Sequence, residues 1–126
     1  MSADDLLAEA RAVASRPDRR LGTTRYVAAA LLGRQALEEA LEQFWQRTVP
    51  GVAGCSGRAQ LITLQFFAEP ELAGAVAYAW NRLSLACHHD AYELPPTHAE
   101  LTSLLDIVDR FAAEASPAPA VPPPPE

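Results

Sequence analysis

The chain has 126 residues, enough for one domain with a hydrophobic core. Its 49% hydrophobic and 21% charged residues are ordinary for a globular protein, and a net charge of −6 argues against broad, charge-driven binding to nucleic acid. All ten basic residues are arginine, so any contact with a polyanion has to be local or supplied by a partner.

Ala and Leu dominate the apolar set and β-branched residues are few, which predicts an all-α fold. No apolar run approaches the ~20 residues that span a bilayer. The acidic start Met1-Ser2-Ala3-Asp4-Asp5 does not read as a signal peptide. A cytoplasmic location is therefore expected, with no membrane partner and with Cys55 and Cys87 as free thiols.

Five helical segments are predicted. The first, Asp4 to Ser15, carries Leu6, Leu7, Ala10, Val13 and Ala14 at i, i+3/i+4 spacing, and Arg16-Pro17-Asp18 ends it. The second runs from Thr23 to Thr48. Tyr26, Ala30, Gly33, Leu37, Leu41 and Phe44 form one seam, and Ala29, Leu32, Ala36 and Ala40 a second beside it. Two seams give the broad apolar face of a bundle helix. Val49-Pro50-Gly51 stops it, and a loop follows through Gly54 and Gly57.

The third helix is predicted over Arg58 to Ala68, capped by Ser56. Pro70 opens the fourth, whose core stripe is Leu72, Val76, Trp80, Leu83 and Cys87. Pro95-Pro96 forces a break. Thr97-His98-Ala99-Glu100 is a capping box that starts the fifth helix, with Leu101, Leu104, Leu105, Val108, Phe111 and Ala112 on its buried face. Residues 1–115 are thus a helical bundle domain and 116–126 a Pro/Ala-rich tail, expected to be disordered. Short connections make neighbouring long helices antiparallel.

The chemistry concentrates in Trp80-Asn81-Arg82-Leu83-Ser84-Leu85-Ala86-Cys87-His88-His89-Asp90. On a helix, Arg82 and His89 are two turns apart and share a face. Asn81, Ser84 and His88 form a neighbouring polar stripe. In RNA cleavage the 2′-hydroxyl attacks the adjacent phosphate. A histidine can move the proton, and an arginine can stabilise the phosphate oxygens through charge-assisted hydrogen bonds. No metal is needed. The bland alternative is that Arg82 pairs with an acid such as Glu93 or Asp90 while the histidines cap the helix end.

Cys87, His88, His89, Asp90, Glu93 and His98 are all metal-ligand types. Successive helical residues fan out by about 100°, so they cannot all converge; His89 and Glu93 at i, i+4 could share an ion only if the helix persists to Glu93, and no second ligand pair has zinc-like spacing. No metal or cofactor is expected. There is no phosphate-cradling glycine loop and no serine elbow. Trp45, Trp80, Phe66 and Phe67 read as core or interface aromatics. Arg16, Arg19, Arg20 and Arg25 are the one basic cluster, read as a solvated loop.

A small helical bundle with an Arg-x4–6-His motif on a late helix resembles the HEPN domains. Five residues separate Arg82 from His88 and six separate it from His89. Leu83 to Thr97 also looks like a segment of small bacterial helical proteins. The resemblance covers roughly Leu6 to Ala113. The residue after the motif arginine, usually polar in that family, is Leu83 here, with Asn81 before the arginine instead.

The resemblance implies a metal-independent endoribonuclease of a toxin–antitoxin or defence system. It implies a homodimer that joins two motifs in one cleft, with RNA as substrate and an antitoxin or other protein as partner. Arg82 would hold phosphate, and His88 or His89 would be the acid/base. Some members of the family are inactive, which gives the alternative of a non-catalytic helical dimerisation or interaction module.

Overall fold

A computed structural model of the chain describes residues 1–16, 24–87 and 96–115. The fold is all-α. Five α-helices follow in order: α1 (Ala3–Ser15), α2 (Thr24–Thr48), α3 (Gly57–Leu64), α4 (Pro70–Cys87) and α5 (His98–Ala115), with a short 3₁₀ helix (Pro50–Gly54) between α2 and α3. No helix among the described residues is long and apolar enough to cross a membrane. Residues 116–126, the expected tail, lie outside the described residues.

Most of the periodic positions are buried, and others, such as Tyr26, Phe44 and Trp80, are partly buried against the core. α1 buries Leu6, Leu7, Ala10 and Ala14, with Val13 packed against the core. Ser2 caps it: its hydroxyl accepts from Asp5 N–H at 3.1 Å, and the Asp5 carboxylate accepts from Ser2 N–H at 3.4 Å. The two bonds together are a capping box, which sets the start of the helix. α2 buries residues of both its seams, including Ala29, Ala30, Gly33, Ala36, Leu37, Ala40 and Leu41, and adds Trp45, which is 0% exposed.

Cross-helix contacts fix the directions. Arg25 Nη1 donates to the Arg16 carbonyl at 2.8 Å, so the end of α1 meets the start of α2 and the two are antiparallel. Tyr26 lies beside His98, Phe44 beside Phe111, and Arg47 Nη1 donates to the Ala115 carbonyl at 2.6 Å, so α2 and α5 are parallel. Arg82 near Glu100 and Arg110 near Glu69 make α4 antiparallel to α5. Helices α1, α2, α4 and α5 therefore run up, down, up, down. α2 is the central helix and packs on each of the other three.

Parallel helices sit diagonally in such a bundle, yet α2 and α5 touch along their length. Small side chains make this possible. A Cβ added at Gly33 would meet Leu105 Cδ2 at 2.7 Å and Leu83 Cδ2 at 3.5 Å, so the backbone of α2 lies directly against residues of α4 and α5. Burial of Leu37, Leu41, Trp45, Leu83, Leu101, Leu105, Val108 and Phe111 around this contact forms one core.

Two local expectations are corrected. The third helix ends at Leu64, not Ala68. Phe66 and Phe67 N–H donate to the Thr63 and Leu64 carbonyls, tightening the chain into a turn. Pro70 supplies the reason, because a proline disfavours the helical conformation at Glu69 before it and seeds a new helix after it. The segment after Thr48 is not a plain loop: Val52 and Cys55 N–H donate three residues back to Val49 and Val52, which makes the 3₁₀ turn.

Candidate functional site

Among the described residues no polar or charged residue is buried. Any chemistry of these residues therefore happens at the surface of the bundle. α4 buries Leu72, Ala73, Val76, Ala79, Leu83 and Ala86, and the opposite face looks outward. Tyr78, Arg82 and Leu85 stand on that outer face at i, i+4 and i+7 spacing, all exposed. Arg82 is the only one of the three that carries charge.

Arg82 does have an intramolecular partner. Its Nη2 lies 3.5 Å from Glu100 Oε2, and the two side chains are 46% and 51% exposed. The expected acids Glu93 and Asp90 lie outside the described residues, as do His88 and His89. Glu100 reaches Arg82 because α4 ends where α5 begins. The capping box expected at Thr97 is half-formed: Glu100 N–H donates to Thr97 Oγ1 at 3.1 Å, while the Glu100 carboxylate is engaged with Arg82. At 3.5 Å and half solvent-exposed, the pair is of the weak surface type, worth about 0–1 kcal/mol.

Of the polar stripe read from the sequence, Asn81 is exposed, but Ser84 is not a free surface hydroxyl. Its Oγ is enclosed and has no hydrogen-bond partner among the described residues. Next to it, Trp80 and Cys87 face α2. The Arg34 guanidinium stacks on the Trp80 ring at 5.1 Å and its Nε lies 3.2 Å from Glu38 Oε1, without the alignment of a hydrogen bond. Gly57 packs against the six-membered ring of Trp80. Burial pushes the Cys87 thiol pKa up, and the neighbouring Arg34 charge only partly opposes this. Cys87 is thus a protonated packing residue at neutral pH, as the sequence suggested, and is not an activated nucleophile.

Most described arginines are held by acids. Arg11 meets Asp106 at 2.8 Å and Asp109 at 3.8 Å, Arg16 meets Glu9 at 3.6 Å, and Arg110 meets Glu69 at 3.9 Å. Arg25 differs. Its Nη1 and Nη2 donate to uncharged oxygens, the Arg16 carbonyl and Tyr26 Oη, and its Cζ lies 4.8 Å from the Tyr26 ring centroid. Arg19 and Arg20 of the same basic cluster lie outside the described residues.

No group of three or more His, Cys, Asp or Glu side chains with metal-site geometry occurs among the described residues. Of the ligand types in the 87–98 stretch, only Cys87 and His98 are described, and each belongs to a different helix. The aromatic residues divide. Trp45 is core, meeting Phe44 and Phe67 edge-on at 4.9 and 5.7 Å, and Trp80 is half-buried. Phe66 is 80% exposed, which corrects its reading as a core residue, though not as an interface one. Its exposure follows from the early end of α3, and the Glu69-Pro70 pair was the signal in the sequence. The chain matches no protein-family model, no curated protein and no solved structure.

Proposed function

We propose that this bundle is a HEPN-like, RNA-associated protein in which Arg82 grips an RNA phosphate and His88 or His89 moves the proton. In its catalytic form it is a metal-independent endoribonuclease, acting as a homodimer in a toxin–antitoxin or defence setting. The observation that carries the reading is the condition of Arg82. It is a half-exposed cation on the outer face of α4, six residues before His88 in the sequence, and its one ionic partner among the described residues is the loosely held Glu100. Releasing so weak a pair costs little, so a phosphate, which offers bidentate geometry to a guanidinium, can displace the carboxylate.

The chemistry follows from the groups. The ribose 2′-oxygen attacks phosphorus, a histidine accepts its proton, and the 5′-oxygen leaves with a proton from a second acid. Charge growing on the phosphate oxygens is met by Arg82. The products are a cyclic phosphate and a free 5′-hydroxyl. DNA has no 2′-hydroxyl and stays whole. The test is incubation of purified chain with single-stranded RNA and with DNA in EDTA. RNA cut to cyclic-phosphate ends supports the reading, and a metal requirement or cleavage of DNA contradicts it.

The second reading is a non-catalytic interaction module. A specific observation favours it: Ile62, Phe66, Phe67, Tyr78 and Leu85 are exposed on or beside α3 and α4. Apolar side chains gathered on adjoining elements mark contact surfaces. Under this reading Arg82 contributes charge to a protein contact, and RNA is left intact by a verified dimer.

A further inference from the structure

The bundle has two ends of different character. At one end α1 finishes at Ser15, α2 begins at Thr24, α4 finishes at Cys87 and α5 begins at His98. Arg25, Tyr26, Arg82 and His98 all lie there. Nothing in their spacing groups them, because they come from three helices, and only the parallel course of α2 and α5 brings Tyr26 to His98.

Their geometry is that of a recognition surface more than of a core. His98 is exposed, and its ring lies 6.0 Å from the Tyr26 ring at a 57° tilt. Tyr26 is half-buried and fixed from beneath by Arg25, which donates to its hydroxyl at 3.0 Å. Arg25 has no carboxylate within ion-pair distance among the described residues, and its buried Nε has no hydrogen-bond partner. A cation with no acid among the described residues, a fixed phenol ring and an exposed imidazole thus lie side by side. Unpaired bases stack on such rings and on guanidinium planes, and phosphates pair with such cations.

Arg82 lies on the other flank of the same helix start. His98 and Glu100 are two residues apart in the first turn of α5; one meets Tyr26 and the other meets Arg82. The gap is about one helix width, roughly 10–12 Å. An extended single strand crosses that gap within a few nucleotides.

We propose that Arg25, Tyr26 and His98 form a second contact for single-stranded RNA, stacking a base that flanks the phosphate held at Arg82. This rests on the RNA reading of Arg82 and adds to it a preference for unpaired RNA and three residues outside the Arg-His motif. It also resolves the mismatch between a chain of net charge −6 and a polyanionic ligand, because the contact is confined to one end.

The experiment uses the full chain and a fluorescein-labelled, single-stranded 2′-O-methyl oligonucleotide, which binds like RNA but lacks the attacking hydroxyl. Anisotropy reads the Kd, and a thermal melt confirms each variant's fold. His98→Ala should weaken binding about tenfold, the usual scale for losing one stacked base, with the melt unchanged. His98→Phe should keep the wild-type Kd, because it keeps the ring. If His98→Ala binds like wild type while Arg82→Ala binds weakly, the second contact is overturned and the reading of Arg82 stands. If His98→Phe is as weak as His98→Ala, stacking is overturned. If the wild-type chain neither binds this probe nor cuts ordinary RNA, both proposals fall together.

Discussion

Two glycines set how closely the helices approach. A side chain at Gly33 has to displace Leu105, itself only 1% exposed and closed in by the core. Gly33→Leu should therefore lower stability by about 1–3 kcal/mol despite the better helix propensity of leucine, as urea denaturation would report. Gly57 meets a stiffer neighbour. A Cβ there would lie 2.6 Å from Trp80 Cζ2, in a ring also stacked by Arg34. Gly57→Ala should cost on the order of 1–3 kcal/mol and change the Trp fluorescence, because α3 has to move off α4. Stability unchanged in either variant would mean that the helices are less tightly apposed. The two thiols give a pH test. Burial raises the Cys87 pKa, so folding favours the neutral thiol. Its contribution is complete below the unfolded pKa and is lost as pH rises through the folded one, on the alkaline side. Exposed Cys55 should react with iodoacetamide well before Cys87 at neutral pH, and the reverse order would mean an activated Cys87 thiolate. At this scale the sequence was a partial guide. It supplied Arg82, His88 and His89 as candidates, but not Glu100 as the partner of Arg82, since nothing in the spacing of 82 and 100 pairs them.

Helix starts are written in single residues, and this is where the sequence was most legible. Ser56 accepts from Ala59 N–H at 3.2 Å, and Thr97 accepts from Glu100 N–H at 3.1 Å, as their positions before apolar-periodic runs required. Thr97→Ala should cost about 1 kcal/mol and Thr97→Ser should recover most of it, measured as a shift in Tm. No loss would place the start of α5 elsewhere. The long helices were legible for the same reason: α2, α4 and α5 repeat apolar residues for four turns or more, enough for the period to stand out. α3 was overextended. Leu61, Leu64 and Ala68 continue a helical spacing through Phe66 and Phe67, but Pro70 restrains the residue before it and the last turn tightens instead. Periodicity alone does not register that restraint, and so it left open whether Phe66 was core or interface.

At the scale of the whole molecule, the all-α bundle followed from composition and period, while the choice of neighbours did not. Alternating directions were expected from short connections. That the parallel pair α2 and α5 would share the closest diagonal depends on where Gly33 and the alanines of α2 meet Leu83 and Leu105, which is decided only by packing. This topology gathers the end of α4, the start of α5 and the start of α2, and the functional proposal stands on that gathering. Its central claim is that Arg82 serves a ligand and not the fold. Glu100 holds it too weakly for a structural role, so Arg82→Ala should leave Tm within the small range of surface substitutions. The most direct measurement is the rate of single-stranded RNA cleavage in EDTA by wild type, Arg82→Ala, His88→Ala and His89→Ala, each checked for Tm. The account predicts that Arg82→Ala lowers the rate by at least about a hundredfold at unchanged Tm. The two histidine variants should differ: helical spacing continued from Arg82 makes His89→Ala the more damaging, and a break of the helix near Cys87 transfers the role to His88. Wild-type cleavage that survives Arg82→Ala, or intact RNA with a verified wild-type dimer, would contradict it and leave the interaction module as the function of this bundle.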